Sequence, residues 1–241
     1  MASGANTSTG RMASMTPTIE ITAAATIEEA WHALRDRDAI ANWHGWDSDE
    51  LAAEITTIYF TDVTEDRDRG VLRLHGGDTV EVVPEGDGVR ITLTRAPLSG
   101  DPSSDAYYED VTEGWLTFLH QLRFALERRP GARRTIFLSS ADAFGLGVIT
   151  DLDLPETMVG TPYADVVVGA RLSGEVWCSS EFQHGITVDE WHGLLIVSGM
   201  EPSDRHPEGT AQVILTTHGM PDADFAALER RWRAWWVEFV C

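Results

Sequence analysis

Lysine is absent from this chain: all 18 of its basic residues are arginines. Schiff-base chemistry and catalysis by a lysine amine are therefore excluded. Cysteine is nearly absent as well, with only Cys178 and Cys241. Two thiols make no disulfide framework and point to a reducing, cytoplasmic setting. No apolar run is long enough to cross a bilayer, and the small, polar start lacks the apolar centre of a signal peptide, so residues 1–17 are expected to be a flexible tail. Gly-x-Ser-x-Gly, P-loop, Gly-x-Gly-x-x-Gly and His-Glu-x-x-His patterns are all missing. Positive charge is scarce: 39 acidic residues against 18 basic ones leave a formal net charge of −21. That field repels phosphate backbones and anionic lipid heads, which excludes nucleic acid and polybasic membrane binding and leaves neutral or cationic partners.

What is present is globular, with 43% hydrophobic and 24% charged residues. At 241 residues the chain holds one large domain or two of roughly 120 residues each. Thr18 to Thr22 alternates as a strand does. Thr26 followed three residues later by Glu29 reads as a capping box, opening a helix with Ile27, Ala30, Trp31 and Leu34 on one face. Asp38 to Trp43 reads as a second short helix. From Glu54 to Arg95 the spacing predicts an antiparallel meander, with Leu72 and Leu74, Val80 and Val82, and Val89, Ile91 and Leu93 on one face and a hairpin loop over Pro84–Gly88. The charged run Thr64 to Arg69 reads as a solvated loop, and Leu98 to Asp105 as another.

A long helix is predicted from about Asp110 to Arg129. Its stripe is Val111, Trp115, Phe118, Leu119, Leu122 and Leu126, and Pro130-Gly131 stops it. Leu116 and Phe124 form a second apolar edge that a single sheet would leave wet. Strand-like segments then return at Val166–Val168, Gly174–Cys178, Gly185–Val188, Leu194–Val197 and Ala211–Thr217. A final helix from about Asp222 to Phe239 carries Phe225, Leu228, Trp232, Trp235, Trp236 and Phe239. Phe137 to Leu154, rich in Gly and Asp, has no clear counterpart in the first half, and Gly145-Leu-Gly147 reads as a loop. Gly70 and Gly88 recur at nearly constant offset as Gly174 and Gly193, and Trp115 recurs at a somewhat longer one as Trp232. A duplication is therefore expected, with units at 18–129 and 135–241.

Two segments resemble the helix-grip (START/Bet v1-like, SRPBCC) superfamily, in its branch similar to the activator of Hsp90 ATPase. One is the opening strand followed by Ala23-Ala-Ala-Thr-Ile-Glu-Glu-Ala-Trp31-His-Ala-Leu34 and Ile40-Ala-Asn-Trp43. The other is Glu113-Gly114-Trp115-Leu-Thr-Phe-Leu-His-Gln-Leu122, similar to the Gly-Trp start of the family's long helix. The second half departs from the pattern, with Arg231-Trp232 in place of Gly-Trp. The resemblance implies an α+β helix grip, a curved antiparallel sheet around a long C-terminal helix, in two consecutive copies. It also implies an apolar cavity that binds a hydrophobic or aromatic small molecule as a non-catalytic carrier or sensor. A polyketide cyclase/aromatase-like enzyme and an Hsp90-activator-like interaction module are the alternatives. Neither a cofactor nor a metal is expected; packing of one half against the other, or a homodimer, would cover the second edge of the long helix, and a protein partner is a further expectation.

The candidate ligand residues are aromatic. Trp43 and Trp46 end the short helix expected at the cavity mouth, and Tyr59 joins them from the start of the meander. Tyr107 and Tyr108 precede the long helix, and Trp115 lies on its stripe. His120 sits off that stripe as an orienting or acid–base group. Trp191, placed at a turn, reads as a surface contact. His184, His192, Glu190 and Cys178 are too dispersed to specify a metal site.

Overall fold

The structure is a computed structural model that describes residues 16–101, 105, 107–128, 131–141, 147–155, 158–200, 202 and 206–240. The expected tail up to residue 15, the stop at Arg129-Pro130, the Gly145-Leu146 pair and Cys241 lie outside these residues. Strand β1 (Thr18–Ala23) alternates between exposed and buried positions, as its sequence requires. Helix α1 (Ile27–Arg35) opens on the capping box: Thr26 Oγ1 accepts from the Glu29 amide at 3.2 Å, and Glu29 Oε2 accepts from the Thr26 amide at 2.8 Å. Asp36 ends α1 and caps α2 (Arg37–Ala41) by accepting from the Ala39 amide at 2.9 Å.

The meander starts later than its spacing predicts. Leu51–Phe60 is helix α3, not a strand. The β-branched run Ile55-Thr-Thr-Ile58 favours a strand locally, but Ile55 and Tyr59 lie four residues apart on one buried face. The hydroxyls of Thr56 and Thr57 donate to the carbonyls of Ala52 and Ala53 at 2.8 and 3.0 Å, so they accommodate the helix. The charged run is also part of the sheet. β2 (Thr64–Asp66) is a short exposed edge strand, and its Glu65 is held by Arg35 and Arg67. With β3 (Val71–Arg73), β4 (Thr79–Glu85) and β5 (Gly88–Thr94), it completes an antiparallel sheet in the order β1-β5-β4-β3-β2. All seven meander residues expected to face inward are buried.

Helix α4 (Tyr108–Arg128) lies against that sheet through Trp115, Leu119, Leu122 and Leu126, which join the buried residues of β1, β3–β5 and α1–α3 in one core. Val111 is the exception on the expected stripe: it is exposed, one turn ahead of Trp115. Arg133–Ser140, which the sequence pattern did not reveal, is strand β6, and Gly147–Asp151 is the short helix α5 where a loop was expected. Strands β7 (Pro162–Val167), β8 (Ala170–Ser179), β9 (Gln183–Val188), β10 (Gly193–Met200) and β11 (Thr210–His218) build a second antiparallel sheet, ordered β6-β11-β10-β9-β8-β7. Helix α6 (Asp222–Val240) closes it on one face.

The second sheet is covered on both faces. Leu195 and Val197 of β10 point into a core with Phe225, Leu228, Trp232 and Trp236 of α6. Leu194 and Ile196 point the other way, into a cluster with Trp177, Cys178 and Phe124 of α4. Phe124 meets Trp177 edge-on at 5.8 Å and stacks on His218 at 5.6 Å. Of the second apolar edge of the long helix, Phe124 is thus covered by the second sheet, while Leu116 packs against the core of the first. Trp191 occupies the turn between β9 and β10 but is buried edge-on against Trp232, so it is no surface contact. The fold is α+β with two antiparallel sheets and a C-terminal helix. Among the described residues, no helix is long and apolar enough to cross a membrane.

A Cβ at Gly193 would lie 1.8 Å from the carbonyl oxygen of Thr216 on the paired strand. We expect Gly193→Ala to lower stability by roughly 1–3 kcal/mol, because the two backbones must separate. A Cβ at Gly114 in α4 meets nothing within 4 Å, and Gly114→Ala is expected to stabilise by about 1 kcal/mol through helix propensity alone. Denaturant midpoints of the two variants read both effects.

Candidate binding site

Three of the candidate residues converge in the core of the first half. The Trp43 and Tyr59 rings meet edge-on at 5.8 Å, Tyr59 and Trp115 at 6.4 Å, and His44 lies within 5.8 Å of all three. Trp43 and Tyr59 are each 0% exposed. Trp43 is buried in the core, with its indole N–H donated to the Ala33 carbonyl at 2.9 Å, and it also borders a hollow of about 460 Å³ with His32, Ala39 and Leu126. A hydrogen-bonded chain runs outward through this cage. The Tyr59 hydroxyl pairs with His44 Nδ1 at 3.0 Å, and His44 Nε2 pairs with Glu54 Oε1 at 3.3 Å. Burial holds the His44 imidazole below its usual range and the Tyr59 phenol well above its own, while the bond from His44 lowers the Glu54 carboxyl. The cage is filled by its own rings. His44 and Glu54 drew no attention in the sequence, since a histidine and a glutamate ten residues apart form no known pattern.

Trp46 stacks on Phe137 of β6 at 3.9 Å with the rings 11° apart, joining the two halves. Beside it, Arg133 donates to the carbonyls of His44 and Gly45 at 2.9 and 3.2 Å. Gln121 accepts from Arg133 at 3.4 Å and from the Thr216 hydroxyl at 3.3 Å. Burial pushes the Arg133 guanidinium down to about 10, with Asp47 opposing the shift. His120 is elsewhere, on the side of α4 that faces β8, where its backbone carbonyl accepts from the Trp177 indole at 3.1 Å. Its Nδ1 is buried without a hydrogen-bond partner, and burial, with Arg123 nearby, pushes the imidazole down to about 4.

Open space lies at the start of α4, where Tyr107 and Tyr108 stand. A hollow of about 670 Å³ is bounded by Pro17, Pro97, Leu98, Tyr108, Phe182 and Met200 among others. Tyr108 is fixed there: its hydroxyl donates to the Ala96 carbonyl at 2.6 Å, and the Arg95 guanidinium lies 4.5 Å from its ring centre. Arg95 is itself paired with Asp78 at 3.2 Å. A second cavity, about 260 Å³, lies on the other side of a wall made by Glu113, Phe182 and Met200, which line both spaces. Thr117, Ser139, Ser198 and Thr210 line this second space with Asp110, His206 and Tyr107, the last of which is 52% exposed.

Glu113 is set in place from the second sheet. Gln183 Nε2 donates to its Oε2 at 2.8 Å and to its backbone carbonyl at 2.7 Å, and the Thr117 hydroxyl donates to Gln183 Oε1 at 2.9 Å. Burial raises the Glu113 carboxyl above its usual range, against the Gln183 bond and with help from Glu181. Neither Glu113 nor Gln183 was among the candidates, because their 70-residue separation carries no local signal.

No family model and no curated protein matches this chain. Among solved structures, it is similar to DynU16, a protein of the dynemicin biosynthetic locus, with 16% identity, coverage of 92% of this chain and 95% of that one, and a TM-score of 0.32. It is also similar to StfQ, the di-domain ARO/CYC of the steffimycin biosynthetic pathway, with 11% identity, coverage of 90% and 91%, and a TM-score of 0.34.

The folded chain holds His44, His120 and His218 below their usual 6.5, each chiefly by burial. Above that value both folded and unfolded chains keep these rings neutral. Below it only the unfolded chain gains the protons, so stability is lost as pH falls from 6.5 toward 4. We expect the melting temperature to drop across this window and to drop less in His120→Leu. That variant also removes an unpartnered Nδ1 and should gain about 1–2 kcal/mol at neutral pH. Conversely, Tyr59→Phe strands His44 Nδ1 and should cost about 1–3 kcal/mol.

Proposed function

We propose that this chain is a tandem of helix-grip-like units that binds a hydrophobic or aromatic small molecule, as a carrier or sensor, in the hollow at the start of α4. The observation that carries the reading is the hollow itself. It is large enough for a drug-sized ligand, and prolines, a leucine, a phenylalanine, a methionine and a fixed tyrosine line it, with Thr16, Glu109, Thr112 and Glu113 as the polar groups that would orient the guest. Tyr108 takes the ligand-facing role in this hollow, while Tyr107 borders the smaller cavity beside it. Trp43, Tyr59 and Trp115 act one layer below, as the packed base on which the helix rests. Trp46 contributes by bracing the two halves, and His120 lies outside the binding space.

The tandem reading rests on the two sheets, each with a long tryptophan-bearing helix after its last strand, and on the order strand, three helices, meander and Gly-Trp helix in the first half. The net charge of −21 favours a neutral or cationic guest.

Nile red, a neutral apolar dye, is expected to bind with enhanced emission. Met200→Trp fills the hollow from its wall and should weaken that binding at least tenfold while the melting temperature stays close to the parent. Binding that survives this substitution unchanged, or no binding by the parent, would count against the reading.

A further inference from the structure

The two cavities at the start of α4 share three lining residues, Glu113, Phe182 and Met200. Glu113 reaches both, and it is the charged group in the wall they share with Phe182 and Met200. The larger space is lined mainly by apolar side chains, with the Glu109 and Glu113 carboxylates at its edge, and the smaller one adds serines, threonines and the Asp110–His206 pair, so a single guest spanning both would meet a more polar lining at the smaller end. The carboxylate between them is positioned rather than loose. Gln183 is 1% exposed and clamps both the side chain and the backbone of Glu113, while Thr117 fixes the Gln183 amide. A buried amide spent on orienting one carboxylate makes that carboxylate a directional acceptor.

Gly114 supplies an independent observation. It sits in the second turn of a 21-residue helix, where glycine costs about 1 kcal/mol against alanine, and it lines the smaller cavity. No backbone approach or positive φ requires it, and a Cβ there would meet nothing within 4 Å. The one consequence of its missing side chain is room in the cavity beside Glu113.

Building on the proposed ligand-binding role, we infer that the smaller cavity is a second compartment for the same guest and that Glu113 is its specificity determinant, accepting from a hydroxyl- or amine-bearing end and rejecting an anionic one. The guest is therefore amphipathic: an apolar body in the larger hollow and a hydrogen-bond-donating, non-anionic end in the smaller. Half-burial strengthens the discrimination, because a carboxylate screened from water repels a second anion more strongly than an exposed one does.

Two dansyl probes with the same apolar body test this in the full chain. Dansylcadaverine ends in an ammonium group and dansylglycine in a carboxylate. At pH 7.5 and moderate salt, fluorescence titration should show dansylcadaverine binding at least tenfold more tightly. Glu113→Gln keeps the shape and should bring the two affinities within about threefold, and Gly114→Leu should fill the compartment and weaken dansylcadaverine at least tenfold. Equal affinities in the parent, or a gap that persists in Glu113→Gln, would overturn the inference, the latter assigning the selectivity to the overall charge. If both probes bind, and Met200→Trp displaces both, while no gap exists, the hollow stands and the second compartment falls. If neither probe binds, the hollow falls as well.

Discussion

Helix α4 is used on both of its faces, and the rest of the structure depends on that constraint. Its three- and four-residue spacing sends Trp115, Leu119, Leu122 and Leu126 to the first sheet and Phe124 to the second, with Thr117 and Gln121 bonded toward the second half as well. A helix wetted on one side could carry charge there. This one instead needs a hydrogen-bond partner for every buried polar group on its second face. Gln121 finds Thr216 and Arg133, and Arg133 in turn satisfies the carbonyls of His44 and Gly45. The junction is therefore bonded as well as apolar, which fixes the angle at which the halves meet more tightly than a greasy contact alone would.

The same constraint explains which parts of the fold were legible in the sequence. The first sheet has one covered face, and Val89, Ile91 and Leu93 show it by alternation. The second sheet lies between α4 and α6, so Leu194-Leu-Ile-Val is apolar throughout, the mark of a strand covered on both sides. That run showed where a strand lies but not what covers it. Helix α3 was hidden by β-branched residues whose preference the tertiary contacts of Ile55 and Tyr59 override. β6 was hidden because Phe137, which stacks on Trp46 of the first half, turns Ile136-Phe-Leu138 into a short continuous apolar run where Ile136 and Leu138 alone would alternate.

The candidate site was legible only where its residues are neighbours in the chain. Tyr107 and Tyr108 stand out as an aromatic pair ahead of a helix, and both line open space. Glu113 and Gln183 meet across two different elements, and either residue alone reads as an ordinary surface polar group. Gly114 was read as part of a Gly-Trp helix start, and only the geometry shows that its missing side chain borders a cavity. Trp43, Tyr59 and Trp115 were selected for their aromatic mass, a property that core packing and ligand contact share, and here it serves packing.

The position of the open space follows from that packing. In the first half, the gap between sheet and helix is occupied by Trp43, His44, Tyr59 and Trp115, and the His44 chain to Glu54 satisfies the polar atoms they bring in. Ahead of Trp115 the start of α4 is held to the first half by Arg95 and by the Tyr108 hydroxyl, with the ends of β6 and β10 beside it. Room therefore opens where Tyr108 and Pro97 of the first half face Phe182 and Met200 of the second. A hollow walled by both halves exists in neither half alone. The contact that covers Phe124 of α4 is then also the one that creates the binding space, and joining the halves in one chain keeps their effective concentration high enough to hold the space in shape.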